Sequence, residues 1–120
     1  WAELLAEAAG APAVLVGVFS PIRVSKERSL MPAPLVEPLR HLASRQRLCL
    51  VSFSSPFLVA QVPEAAQWVL AYGSRPFQIE SAVRAVAIGE FPGKLPVTLP
   101  ELPLPALGEA WRGPIGPSFA

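Results

Sequence analysis

The sequence predicts an α/β fold, a three-layer α/β/α sandwich around a small, mostly parallel sheet. Two observations carry that expectation. Short apolar runs of the buried-strand type, Ala13 to Phe19, Arg47 to Phe53 and Gln67 to Tyr72, alternate with stretches of helical periodicity. Consecutive strands joined through helices run parallel, with right-handed crossovers that place the helices on the sheet faces.

The first element is a helix. Trp1, Leu4, Leu5 and Ala8 fall at i, i+3, i+4 and i+7, with Glu3 and Glu7 off that face and Gly10 to close it. Ala13 to Phe19 (AVLVGVF) is valine-rich and uninterrupted, the pattern of a strand buried on both faces. Ser20 to Ala33 reads as a loop carrying Arg23, Lys26, Glu27 and Arg28. Pro34 opens a second helix with Leu35, Val36, Leu39, Leu42 and Ala43 on one face. Pro38 fits only a first turn, which would move the helix start later.

Arg47 to Phe53 is the second buried strand, and Ser54-Ser55-Pro56 leads into a short helical piece around Phe57 to Val59. Gln67 to Tyr72 is the third strand, ending at Gly73. In the third helix Ile79, Ala82, Val83, Val86 and Ala87 face inward, and Gly89 ends it. Leu95 to Leu99 is a last short strand that Pro96 restricts to a sheet edge. Residues 101–120 form a Pro/Gly-rich tail. The opening helix precedes any strand, so residues 1–100 are expected to be a partial or accessory domain with its first strand or strands missing.

Composition bounds the function. The chain has 120 residues, 52% of them hydrophobic, with a formal net charge of +1. That is enough to bury one core, and no basic face points to nucleic acid. Apolar runs stop short of the roughly 18 residues a membrane span requires, so no membrane partner is expected. No leader pattern is visible at the N-terminus, and the single cysteine leans towards a reducing compartment such as the cytoplasm. No cofactor or metal is expected: phosphate-binding glycine motifs are absent, and one His with one Cys supplies too few ligands. The chain has no Asp, so chemistry that needs an aspartate lies elsewhere.

Candidate catalytic residues are few. Ser54 lies at the C-terminal end of the second strand, where open α/β sheets place their ligand crevice, but neither it nor Ser55 has the G-x-S-x-G setting of a nucleophile elbow. The plainer role for this serine cluster is to cap the helix that begins at Pro56. His41 reads as a helix-surface residue, Cys49 as a small buried hydrophobe, and Trp68 and Phe57 as core. Trp1 and Trp111 sit near the ends of the chain and mark surfaces for another domain to cover.

Three segments in order then suggest a family: Ser55-Pro56-Phe57-Leu58 after a strand, Leu70-Ala71-Tyr72-Gly73 ending the next, and Gly89-Glu90-Phe91-Pro92-Gly93-Lys94-Leu95-Pro96-Val97-Thr98-Leu99-Pro100 after a helix. The series resembles the C-terminal α/β domain of family-3 glycoside hydrolases, and looks closest to the bacterial β-N-acetylhexosaminidase-like branch with its G-K-L-P-V-T-[IL]-P ending. The resemblance covers residues 1–100. Gly89, Gly93, Lys94, Pro96 and Pro100 are its structural motif: a helix cap, a tight turn and an extended edge strand.

The resemblance implies an N-terminal (β/α)8 catalytic domain, on the same or a partner chain, that carries the aspartate nucleophile, with carbohydrate as substrate. In the β-glucosidase-like branch the second domain lends a glutamate from a loop with a Glu-Gly pair, which this chain lacks. Glu27 lies in the corresponding loop, but retaining chemistry needs two carboxylates about 5 Å apart and nothing pairs Glu27 with a second acid. The expected function is therefore a non-catalytic accessory domain supporting a glycosidase barrel that acts on β-linked N-acetylhexosaminides or glucosides. The alternative is a stand-alone binding or interaction module derived from such a domain.

Overall fold

A computed structural model describes residues 1–20 and 30–91. The elements run α1 (Ala2–Ala8), β1 (Val14–Val18), α2 (Ala33–Arg45), β2 (Leu48–Ser52), a 3-10 helix (Pro56–Gln61), β3 (Gln67–Leu70) and α3 (Pro76–Ile88). The strands form a parallel sheet in the order β1-β2-β3, with Val16 opposite Leu50 and Leu50 opposite Trp68. The described residues are thus a small α/β domain, as the alternation of strand and helix patterns predicts.

β2 is buried along its whole length because it lies between two strands and both its faces are packed. Successive side chains of a strand point to opposite faces, and the core divides accordingly. Leu48 and Leu50 join Leu39 and Leu42 of α2 and Leu58 and Val62 of the 3-10 region. Cys49 and Val51 join Val69 of β3 and Ala82 and Val86 of α3.

Several elements differ from expectation. β1 is buried on one face only: Val18 is buried and Val14 and Val16 are half-buried, while Leu15 and Gly17 are exposed. As the outer strand, it has α1 and α2 near one face and no described helix over the other. In α1 only Leu5 and Ala8 pack on the core; Trp1 and Leu4 remain exposed, and Ala9, in a right-handed conformation, ends the helix before Gly10. α2 starts at Ala33, so Pro38 lies within it rather than in its first turn. The Pro34 carbonyl that loses a donor belongs to an exposed residue, where water replaces it cheaply.

α3 buries a narrower stripe than its sequence suggests. Ala82 and Val86 are buried and Ile79 half-buried, while Val83 and Ala87, at the edge of that stripe, are exposed. β3 stops at Leu70 because Tyr72 takes a positive φ of 56° and turns the chain. The helical piece after Ser55 is longer than expected and of the 3-10 type, and Phe57 on it is exposed rather than core.

Candidate functional site

The C-terminal ends of β2 and β3 hold the polar groups that the sequence singles out. Ala71 N–H donates to Ser52 O and Phe53 N–H to Val18 O, so the three strands end at the same level of the sheet. Ser52, Ser54 and Ser55 all lie buried there. Their position follows from β2, which carries them out of the hydrophobic core before Pro56 fixes the backbone for the next turn.

Each hydroxyl has a distinct environment. Ser52 Oγ donates to Ser55 O at 3.0 Å and accepts from Ser54 N–H at 3.4 Å. Ser55 Oγ accepts from Phe57 N–H at 3.3 Å, the side-chain cap of the 3-10 helix. Among the described residues the Ser54 hydroxyl, itself buried, has no hydrogen-bond partner. A serine nucleophile needs a neighbouring base to take its proton, and no such pairing is made by Ser54. Two of the three serines hold the backbone, and the serine cap predicted for this turn is supplied by Ser55.

The other candidates lie apart. His41 is exposed on α2, and its carbonyl accepts from Ser44 Oγ at 2.8 Å. Cys49 is fully buried in the middle of β2, and burial pushes its thiol up to about 11, which keeps it protonated and unreactive at neutral pH. Trp68 packs against the α2 side of the core, and its indole Nε1–H donates to Val62 O at 3.4 Å, so it serves the core as expected. Among the described residues no group of three or more His, Cys, Asp or Glu converges to hold a metal ion, and no helix is long and apolar enough to cross a membrane.

Of the proposed structural motif, Gly89 is the described member. It ends α3 with φ 74° and ψ 20°, the left-handed cap, and its N–H donates to Ala85 O at 2.8 Å. Glu27, Gly93, Lys94, Pro96 and Pro100, the strand expected over Leu95 to Leu99 and the 101–120 tail lie outside the described residues.

Some structural groups escape sequence reading. Gln61 clamps Met31, accepting from its N–H through Oε1 at 2.7 Å and donating from Nε2 to its carbonyl at 3.3 Å. Gln78 Oε1 accepts from Arg75 N–H at 3.0 Å, the glutamine half of a capping box at the start of α3, since the Arg75 side chain has no acceptor to complete it. Tyr72, a non-glycine residue in the left-handed region, has its phenol held protonated to higher pH by partial burial. A glutamine three residues after the residue preceding Pro76 is a readable signal; the Gln61 contact, thirty positions distant, is not.

Comparison with family models, with curated proteins and with solved structures yields no significant match for this chain.

Proposed function

We propose that this chain is an accessory α/β domain of a glycoside hydrolase, without catalytic machinery of its own. In this reading the parent's (β/α)8 barrel hydrolyses β-linked N-acetylhexosaminides or glucosides. The domain steadies the barrel's loops and walls one side of the cleft. Its finer architecture is a three-layer α/β/α sandwich, with α1 and α2 on one side of the sheet and α3 on the other.

One observation carries the proposal. At the end of the sheet where an α/β domain would place a reactive group, Ser52 and Ser55 are committed to backbone hydrogen bonds, and Ser54 is buried without a base. The polar groups of this turn build the fold. Gly89 supports the same reading, because its left-handed cap is the structural role that the resemblance assigns to the start of the Gly89 to Pro100 stretch. Exposed Trp1 and Leu4 offer apolar surface for a covering domain.

The test is to assay the chain alone and its parent protein on aryl β-N-acetylglucosaminides and β-glucosides. The expected result is turnover by the parent and none by the isolated chain. Turnover by the isolated chain, or labelling of Ser54 by a serine-directed covalent probe, overturns the proposal.

A further inference from the structure

We propose that the outer edge of β1 is a contact surface for a second copy of this chain, the two β1 strands pairing antiparallel across a two-fold axis at Val16. The pairing joins two three-stranded sheets into one. The inference rests on the geometry of β1 and is independent of the glycosidase reading.

The edge carries the groups that pairing needs. β1 is the outer strand of the order β1-β2-β3, and no described strand lies beyond it. Val14 N–H donates to Arg47 O, and Val18 O accepts from Phe53 N–H. Even-numbered residues of β1 therefore bond to β2, and Leu15 and Gly17 turn their N–H and C=O groups outward. Exposed edges are ordinarily blunted by charge, proline or a bulge. The run Ala13 to Phe19 has no charged residue and no proline, and its register with β2 is unbroken from Val14 to Val18.

The run is also complementary to itself. Because its odd-numbered residues bond outward, Leu15 and Gly17 of one copy can exchange hydrogen bonds with Gly17 and Leu15 of the other in an antiparallel ladder. The axis then passes between the two Val16 residues, at the middle of the strand, and the whole of β1 pairs with its own image. An isologous contact of this kind sets one surface against itself, so a charge in the run would face its like across the axis. Ala13 to Phe19 carries none.

Side-chain shape fits the same register. Directly opposed residues project from one face of the sheet, so Leu15 of each copy lies over the bare position of Gly17 in the other. There it reaches its diagonal neighbour Phe19, whose ring lies 3.3 Å from where a Gly17 Cβ would be. Leu15 and Phe19 are 49% and 59% exposed, and the contact covers both. It buries on the order of 400 Å² per copy, at the small end of specific interfaces. Association is therefore weak and reversible, with a dissociation constant in the micromolar range.

Sedimentation velocity on the full chain from about 5 to about 500 μM tests the proposal. The expected result is a reversible monomer–dimer equilibrium, with the Leu15 and Gly17 amides exchanging roughly 10-fold more slowly at the upper concentration than at the lower. Leu15→Lys and Leu15→Glu should each be monomeric, because the two copies of position 15 are diagonal neighbours across the axis, and mixing the two variants should restore the dimer. Leu15 is exposed, and the Val16 and Leu50 amides report that each variant keeps its sheet. Isotope-filtered NOEs between the α-protons of Val14 in one copy and Val18 in the other establish the register. A monomer at every concentration overturns the proposal, as does protection of Leu15 and Gly17 that is independent of concentration and so reports cover by the same chain. A dimer that survives Leu15→Lys, growth beyond the dimer, a mixture that stays monomeric, or absent NOEs in the dimer each overturns it as well.

Discussion

Phe19 stacks on Phe53 with ring centroids 4.4 Å apart and planes 12° from parallel. Gly17 makes room for the pair: a Cβ there would lie 3.3 Å from each ring. The rings are unequal partners, since Phe53 is 6% exposed and Phe19 59%. The stack covers part of a β1 face that no described helix reaches.

Removing the two rings should therefore have different consequences. Phe53→Ala is expected to cost about 3–4 kcal/mol, as for a buried aromatic. Phe19→Ala should cost about 1 kcal/mol, the scale of the stacking contact alone. Urea unfolding of both variants and the double variant measures the coupling. Equal single-variant costs would mean that Phe19 is as well covered as Phe53, contrary to this arrangement.

Gly89→Ala isolates a backbone effect. A Cβ at Gly89 meets nothing within 4 Å, so the cost comes from φ 74° alone. A destabilisation of about 1 kcal/mol is expected, with Gly89→Asn costing less because asparagine tolerates the left-handed region. Thermal unfolding of the two variants checks the order.

The serine turn gives opposite signs at adjacent positions. Ser55→Ala removes the cap on Phe57 N–H and should cost about 1 kcal/mol. Ser54→Ala removes a buried hydroxyl that has no partner, so its effect should be neutral or stabilising by up to about 1 kcal/mol. Denaturant midpoints measured side by side decide it. A large loss at Ser54 would reveal a hydrogen bond that this arrangement does not contain.

Much of this fold is legible because local chemistry decides it. The run Arg47 to Phe53 could be read as buried because nearly every position must face a packed layer, and β2 is central. Gly89 could be read because ending a helix in the left-handed region favours one residue type. β1 misleads for the converse reason: its apolar run resembles β2, but burial depends on what lies beside a strand, which its own residues do not encode. The same holds for Val83, apolar yet exposed at the edge of the α3 stripe. The position of the serine cluster at the end of β2 was readable. Which hydroxyl caps and which is left unpaired depends on backbone geometry after Ser52. Tyr72 carries no signal, since tyrosine at positive φ is adopted against its own preference.

Arg40 on α2 gives the chain a pH-dependent contact. Its Nε–H donates to Glu64 Oε1 at 2.8 Å and its Nη2 to the same oxygen, tying α2 to the loop before β3. The hydrogen bond from Arg40 lowers the Glu64 pKa, and the reciprocal bond raises that of Arg40. A carboxyl whose pKa is lower folded than unfolded contributes stability above its ordinary titration range and loses it as pH falls through and below that range. Glu64→Gln should therefore flatten the stability profile below about pH 5 and leave it nearly parallel to the parent's near pH 7. Because both side chains are partly exposed, the difference should shrink with added salt. Chemical denaturation across the acid range, at low and high salt, provides the measurement.

Cys49 offers a probe of the sheet's own opening. Its thiol is fully buried in the core cluster with Val69, Ala82 and Val86 and pushed up to about 11 by desolvation. Two barriers thus protect it: little thiolate forms at pH 8, and no reagent reaches the sulfur while β1 and β3 flank β2. Native chain should resist a thiol-directed reagent at pH 8, whereas denatured chain, with its thiol near the ordinary value, should react readily. Under native conditions the slow labelling rate should rise in proportion to the unfolding equilibrium when the sheet is weakened, as by Phe53→Ala. Ser55→Ala should raise it less, in line with its smaller cost. Rapid labelling of the native chain, or rates insensitive to these variants, would mean that Cys49 is reached by a local motion that leaves the core intact.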